Sequence, residues 1–349
     1  MPERARRLAV VVFNLGGPDS LKAVRPFLFN LFADPSIIGL PAAVRLPLAG
    51  AIATIRSRSA RRNYALIGGR SPLLAETEAQ AKALEAELGA LRPELETRVF
   101  IAMRYWRPLT REAAVAVEAF EPDEIVLAPL YPQYSTTTTG SSVAEWNSVY
   151  RGTGRVCTLC CYPAEAGLIE AHAQRIEAAW REAGEPEGVR LLFSAHGLPL
   201  KVVEQGDPYQ SQVEATAAAI ASRLGPGWPD WRVCYQSRVG PMKWLGPSTL
   251  DLIEEAASEG LGVVIAPIAF VSEHVETLVE LDHDYARKAE GWGCHAYVRV
   301  PALGLQGAFI SGLSKQVAAA IGQPGDIHPG SEFVCAPEWG KCPRRRGVQ

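Results

Sequence analysis

The chain predicts an α/β fold of two similar Rossmann-like domains, each built on a parallel sheet. Eight short strand-like runs lie near 8–15, 98–104, 124–131, 155–161, 190–195, 231–237, 261–269 and 294–300. They alternate with Ala-, Glu- and Leu-rich stretches of helical spacing, such as 75–90, 165–184, 208–224 and 274–290, and such alternation needs crossover helices and therefore parallel strands. The two halves also echo one another in order. Val12-Phe13-Asn14-Leu15-Gly16-Gly17-Pro18 answers Leu192-Phe193-Ser194-Ala195-His196-Gly197-Leu198-Pro199, and Val126-Leu127-Ala128-Pro129-Leu130 answers Val264-Ile265-Ala266-Pro267-Ile268. A length of 349 residues, 48% of them apolar, leaves room for two cores. The echo predicts two lobes facing each other across a cleft.

Taken in order, the first run follows a basic opening and superficially resembles a secretory signal. It stops at Gly16-Gly17-Pro18-Asp19 without a small-residue cleavage site, so export is not expected and a cytoplasmic location is. The stretch 37–55 has Arg45 as its only charge but contains Pro41 and Pro47, which makes a poor transmembrane helix. It reads either as a buried helix pair or as an exposed apolar lip for a membrane surface or an apolar ligand. The first domain is assigned to 1–155 and the second to 156–305. The remainder, 306–349, is expected to supply a helix near 306–321 that packs back on the first domain, then a Pro- and Gly-rich tail containing cysteines.

Several function classes drop out. A net charge of −3 gives no reason to expect nucleic acid. The first loop lacks the G-x-G-x-x-G spacing of a dinucleotide site, and the chain has no Walker-type phosphate loop. No G-x-S-x-G elbow accompanies His196, which disfavours a serine hydrolase. Seven cysteines do not make a disulfide scaffold at this length.

What remains points to proton or metal chemistry. His196 ends an apolar strand and is followed by Gly197, Leu198 and Pro199, the edge of an α/β sheet where ligands bind. It either caps the strand or titrates there in service of a reaction. Ser272-Glu273-His274-Val275-Glu276 ends another strand, and Glu273, Glu276, Glu280 and Asp284 continue at three- or four-residue steps. That spacing fits the solvated face of an amphipathic helix. It equally fits a carboxylate path, because Glu273, Glu276 and Glu280 have no Lys or Arg four residues on. Carboxylates with imidazole suit a loosely held divalent cation such as Fe(II). Tyr64, Tyr105, Trp106, Tyr131, Tyr134 and Trp244 fall near other strand ends and could wall a flat apolar ligand, with Arg56, Arg104 and Ser71 meeting its anionic groups.

These motifs resemble the ferrochelatases, which insert Fe(II) into a porphyrin in the last step of haem synthesis. The resemblance covers about 8–320. It rests on Asn14-Leu15-Gly16-Gly17-Pro18, Ile67-Gly68-Gly69-Arg70-Ser71-Pro72, Met103-Arg104-Tyr105-Trp106, Tyr131-Pro132-Gln133-Tyr134-Ser135, Ser194-Ala195-His196-Gly197-Leu198-Pro199, Tyr235-Gln236-Ser237-Arg238-Val239-Gly240-Pro241 and Glu273-His274-Val275-Glu276-Thr277-Leu278. It implies catalytic roles for His196 and Glu276 and a metal path through His196, Glu276, Glu273, His274, Glu280 and Asp284. It also implies a protoporphyrin IX pocket at Leu15, Arg56, Tyr64, Ser71, Arg104, Tyr105, Tyr134 and Trp244. His196 would accept pyrrole protons, since an ordinary histidine titrates at about 6.5. A homodimer and peripheral membrane contact through 37–55 are left open, as are coproporphyrin, other divalent metals and a non-catalytic carrier. Some members hold a 2Fe–2S cluster on four cysteines; here Thr136 stands where animal members have one of them. Four thiolates could still come from Cys157, Cys160, Cys161, Cys335 and Cys342, or these could be incidental buried cysteines.

Overall fold

Leu8 to Phe13 are buried without interruption, and a strand apolar on both faces must lie inside a parallel sheet covered on both sides. A computed structural model describes residues 5–238, 242–323, 327–328, 330, 335–336 and 338–343. Among these the strands are β1 (Arg6–Asn14), β2 (Leu95–Met103), β3 (Glu124–Pro129), β4 (Arg155–Leu159), β5 (Val189–His196), β6 (Trp231–Gln236), β7 (Gly262–Pro267), β8 (Tyr297–Arg299) and β9 (Ile327–His328). They form two wholly parallel sheets, ordered β2-β1-β3-β4-β9 and β6-β5-β7-β8. All eight expected strands are present. The ninth lies in the segment read as tail, where Ile327 and His328 pair with Thr158 and Leu159.

The sheets share strand order and register. Phe13 stands opposite Pro129 as Ser194 stands opposite Pro267. The Leu130 N–H donates to the Phe13 carbonyl (2.9 Å) as Ile268 does to Ser194 (3.0 Å). After the second strand of each, the Met103 N–H bonds the Pro108 carbonyl and the Tyr235 N–H the Pro247 carbonyl. Asn14 pairs with Met103, and Ala195 with Tyr235, so Leu15 and His196 occupy equivalent points.

The chain divides into two compact units. The first comprises Met1–Tyr131, Ser135–Cys160 and Val317–His328; the second comprises Pro132–Tyr134, Cys161–Gln316 and Pro329–Gln349. The first packs Ala9, Val11, Phe13, Leu127 and Trp146 into a core, and the second packs Leu191, Phe193, Ala195, Val213 and Val264.

Helices Leu73–Leu91, Ala166–Glu182, Tyr209–Leu224 and Gly307–Ala320 match their apolar spacing. The stretch expected as one α-helix over 274–290 differs. Glu276–Tyr285 is a π-helix, continued by an α-helix over Ala286–Gly291. Its i→i+5 bonding widens each turn, and donors outside the helix reach its carbonyls: Gln236 Nε2 to Glu276 (3.4 Å) and the Tyr297 hydroxyl to Leu281 (2.7 Å).

Part of the apolar stretch 37–55 lies in the 25-residue helix Ala42–Leu66. Ile37, Leu40, Val44, Leu46, Leu48 and Ile55 are exposed, so a wholly buried pair is not what forms. Among the described residues no helix is long and apolar enough to cross a membrane.

Candidate active site

The second sheet brings His196 to the carboxyl end of β5, its side chain 37% exposed. The strand end is tightly made. The Ser194 hydroxyl donates to Gln236 Oε1 (2.8 Å), and a Cβ on Gly197 would fall 2.9 Å from the Gln236 carbonyl oxygen, so the turn after His196 has room only for glycine. β7 leads through Phe270 to His274, whose ring lies 4.3 Å from that of Phe270. The π-helix then begins at Glu276.

One carboxylate oxygen joins these pieces. Glu276 Oε2 lies 3.2 Å from His196 Nδ1 and 3.4 Å from His274 Nε2. Neither contact has the alignment of a hydrogen bond. Burial draws His196 toward its neutral form, but the charge of Glu276 outweighs this and its pKa lies above the ordinary histidine value. Burial likewise favours protonated Glu276, yet His196 and His274 hold it well below the usual carboxylate range. Glu280 goes the other way. Burial, then repulsion from Glu276, pushes it up to about 7 against the pull of the Ser237 hydroxyl, which donates to Glu280 Oε2 at 2.7 Å. An imidazole above its ordinary value and a carboxyl near neutrality thus border the same ionised carboxylate, Glu276.

The acidic row is not uniform. Glu273, expected along the metal path, accepts from the Arg299 guanidinium and the Ala302 N–H (2.8 Å) through Oε1 and from the Thr277 hydroxyl (2.6 Å) through Oε2. Burial opposes its ionisation, but Arg299 prevails and lowers its pKa. Arg299 also grips Asp282 through two nitrogens. Relief of the crowded carboxylates therefore comes from β8, not from a cation four residues along the helix. Glu273 is anchored in structure, and Asp284 is exposed at the far end.

In the first unit, Leu15 is half-buried at the end of β1. Arg56 lies over the Phe32 ring (5.6 Å), and Tyr64 is buried on its helix. Ser71 sits so close to Gly17 that a Cβ there would meet its Oγ at 2.4 Å. Arg104 and Tyr105 converge on Asp34, a residue the sequence did not single out. Its Oδ2 meets Arg104 Nη2 and the Tyr105 hydroxyl, each at 2.8 Å, and accepts from Ser141 at 2.5 Å. Burial resists ionisation of Asp34, but Ser141, Ser36, Arg104 and Tyr105 together keep its pKa low. An Asp-Pro pair after an apolar run gave no signal for this, because the partners lie far along the chain. In the second unit, the Tyr134 N–H donates to Gln212 Oε1 (2.7 Å), and Trp244 bridges to Pro199.

Among the described residues, no group of three or more His, Cys, Asp or Glu side chains is placed so that it could hold a metal ion. The thiols are partly gathered. Gln212 Nε2 donates to Cys335 Sγ (3.2 Å) and Cys161 Sγ (3.5 Å), and Cys342, with burial, pushes the Cys335 thiol upward. Cys157 and Cys160 are buried in the first unit.

Two parallel sheets, with a titratable cluster at a strand end of the second, give the chain an α/β fold of chelatase type. DR2241 from Deinococcus radiodurans, described as a multi-domain protein with structural similarity to chelatases, shares this fold at a TM-score of 0.50 and 14% identity, over 92% of this chain and 56% of that one. The Ferrochelatase family matches residues 7–321. The Caulobacter vibrioides ferrochelatase is 60% identical over 98% of this chain and 99% of its own length. That of Phenylobacterium zucineum is 59% identical over 98% and 99%, and that of Hyphomonas neptunium 53% over 97% and 95%. The chain belongs to the ferrochelatase family, the enzymes that insert iron into a porphyrin in haem synthesis.

Proposed function

We propose that this ferrochelatase uses protoporphyrin IX, and that His196, Glu276 and Glu280 form the route by which two pyrrole protons leave as Fe(II) enters the ring. The observation that supports this is the single Glu276 oxygen bracketed by His196 and His274. Free porphyrin and Fe(II) become haem and two protons, so each turnover needs two acceptances near the macrocycle. His196 takes the proton, ionised Glu276 stabilises the imidazolium beside it, and Glu280, near neutrality, carries the proton on. Because Glu276 raises the pKa of His196, the ring is not the ready base its ordinary value of about 6.5 suggests. Insertion should therefore quicken as pH rises through the folded value of His196, and arriving Fe(II), itself a cation, helps expel the proton. Leu15, Arg56, Tyr64, Ser71, Tyr134 and Trp244 are proposed to contact the macrocycle. Arg104 and Tyr105 act through the order they share with Asp34.

His196→Ala is expected to fold and to lose at least ~10² in insertion rate, the usual contribution of a general base. Glu276→Gln should stop turnover while porphyrin still binds, as followed by porphyrin fluorescence. A His196→Ala enzyme of near-normal rate would remove His196 from the route. Loss of porphyrin binding in Glu276→Gln would make Glu276 structural. A carrier without catalysis would show no turnover in the parent either. An anaerobic assay of protoporphyrin against coproporphyrin, and Fe(II) against Co(II), fixes the substrate.

Two finer readings accompany this. The exposed apolar residues between Ile37 and Ile55 suit contact with a lipid surface, checked by vesicle co-sedimentation of the parent and a Val44→Ser/Ile55→Ser variant. A 2Fe–2S cluster on four of Cys157, Cys160, Cys161, Cys335 and Cys342 has as its support the Gln212 amide shared by Cys161 and Cys335. A colourless, iron-free protein purified without oxygen would exclude it.

A further inference from the structure

We propose that Ser237 is a positioning residue of this site: held in a left-handed backbone conformation at the end of β6, it fixes the carboxylate of Glu280 beside Glu276. The inference rests on the reading of Glu280 given above.

Ser237 has φ +63°, a region that a non-glycine residue enters only at a cost and keeps where its surroundings demand it. Glycine would satisfy the turn more cheaply, so the backbone alone does not account for a serine. Its side chain has a definite task. Buried to 8% exposure, the hydroxyl donates to Glu280 Oε2 at 2.7 Å. The Tyr285 hydroxyl reaches the same oxygen from one turn further along the π-helix, at 3.4 Å. Two donors on one oxygen restrict rotation of the carboxylate in a way that neither achieves alone.

The neighbouring residue holds the same helix by its main chain, since Gln236 Nε2 reaches the Glu276 carbonyl. Gln236 and Ser237 thus set the start of the π-helix and its second carboxylate from one strand end. The first sheet offers a parallel. Its residue equivalent to Ser237 is Tyr105, which also gives a hydroxyl to a carboxylate, that of Asp34. The strand end after the second strand of each repeat therefore holds an acid in place; in the second unit that acid borders His196 and Glu276.

The test compares Ser237→Gly, Ser237→Asn and Glu280→Gln in the full-length protein. Glycine removes the donor and relieves the backbone, so it should leave the thermal midpoint equal or higher. Its kcat for insertion should fall about tenfold, with the porphyrin KM unchanged. Asparagine tolerates the left-handed region and carries an amide donor, and it should recover kcat to within about threefold. A Ser237→Gly enzyme at parental kcat overturns the proposal. So does a loss confined to porphyrin KM, which would make Ser237 a substrate contact, or an equal loss in both variants with a lowered midpoint, which would make it structural. Glu280→Gln separates the two levels. If that enzyme turns over normally, the reading of Glu280 fails and the proposal with it; if it is slow while Ser237→Gly is normal, only the role of Ser237 fails.

Discussion

At matching points of two sheets with matching strand order, β1 delivers Leu15 and β5 delivers His196. Around Leu15 the nearby polar groups are closed on one another: Arg104, Tyr105 and Ser141 all converge on buried Asp34. Around His196 they compete. Two imidazoles face one oxygen of Glu276, and Glu280 is pushed toward neutrality beside them. The element after the third strand differs as well, an α-helix over Thr139–Val149 in the first unit and the π-helix in the second. One repeat thus keeps an apolar residue and a satisfied ion pair at its strand ends, while the other keeps groups whose charges are unsettled. Proton transfer needs the second condition, because a fully satisfied group has no reason to exchange its proton. Exchanging the distinguishing residue should therefore have the largest effect. His196→Leu gives the second sheet the residue of the first and should lower kcat by at least ~10², roughly 2.7 kcal/mol in barrier, with the urea midpoint little changed. Iron insertion within threefold of the parent would show that this difference is not the source of activity.

The opposite ends of the sheets differ too, and there the contrast concerns stability. The position of Ala9 in β1 is taken in β5 by Arg190, whose side chain is only 4% exposed and pairs with Asp230, Glu255 and Glu259 at 2.8–3.0 Å. Removing the cation would leave three carboxylates facing each other. They are a third to a half exposed, so screening reduces the cost, and Arg190→Ala should lose about 2–3 kcal/mol in urea unfolding. Insertion per folded molecule should be unchanged, since this cluster lies at the amino ends of the strands. A falling kcat would mean that the two ends are coupled.

Much of this contrast was legible in the residues, and for a physical reason. Parallel strands buried on both faces are nearly continuous apolar runs, so Val10–Phe13 and Leu191–Phe193 announce themselves, and their internal echo gave the shared strand order. His196 and Glu276 were legible because titratable groups at the ends of such runs are rare. Three features were not. The π-helix escaped because a four-residue acidic step lies close to one turn in either helix type. Arg299 and Asp34 escaped because their partners are distant in sequence, so the fixing of Glu273 and Arg104 became visible only in three dimensions. β9 escaped because two residues, Ile327 and His328, carry no periodicity.

Glu280 allows the electrostatic side of the comparison to be sharpened by pH. Its folded value of about 7 lies above the ordinary carboxylate value, so its contribution to stability is complete below about 4.5 and is lost as pH rises through 7. His196, also raised, loses its contribution in the same direction above about 6.5. Glu276, lowered, loses its contribution only as pH falls below the ordinary carboxylate range. The metal-free protein should therefore weaken between pH 5 and pH 8. Glu280→Gln, which mimics the protonated acid, should match the parent at pH 5 and exceed it at pH 8 by about 1–2 kcal/mol, a figure reduced for partial exposure. Equal stability at both pH values would place Glu280 in a more solvated setting than its contacts with Ser237 and Tyr285 imply.

The smallest expected effect separates the repeats by a single cap. The helix after β6 begins at Ser248, whose hydroxyl accepts from the Asp251 N–H (3.0 Å) while Asp251 accepts from the Ser248 N–H (3.3 Å). The equivalent helix after β2 begins at Leu109, where only the return half exists, the Leu109 N–H donating to Glu112 (2.7 Å). Ser248→Ala reduces the second repeat to the condition of the first and should cost about 1 kcal/mol. The loss should appear in thermal unfolding and leave insertion intact, because the helix Thr249–Ser258 packs under the sheet through Leu252, Ile253 and Ala256 and presents none of the His196 cluster. A variant that kept its stability but lost activity would place this helix start among the parts that orient Gln236 and Ser237, whose neighbour Tyr235 bonds the Pro247 carbonyl just before it.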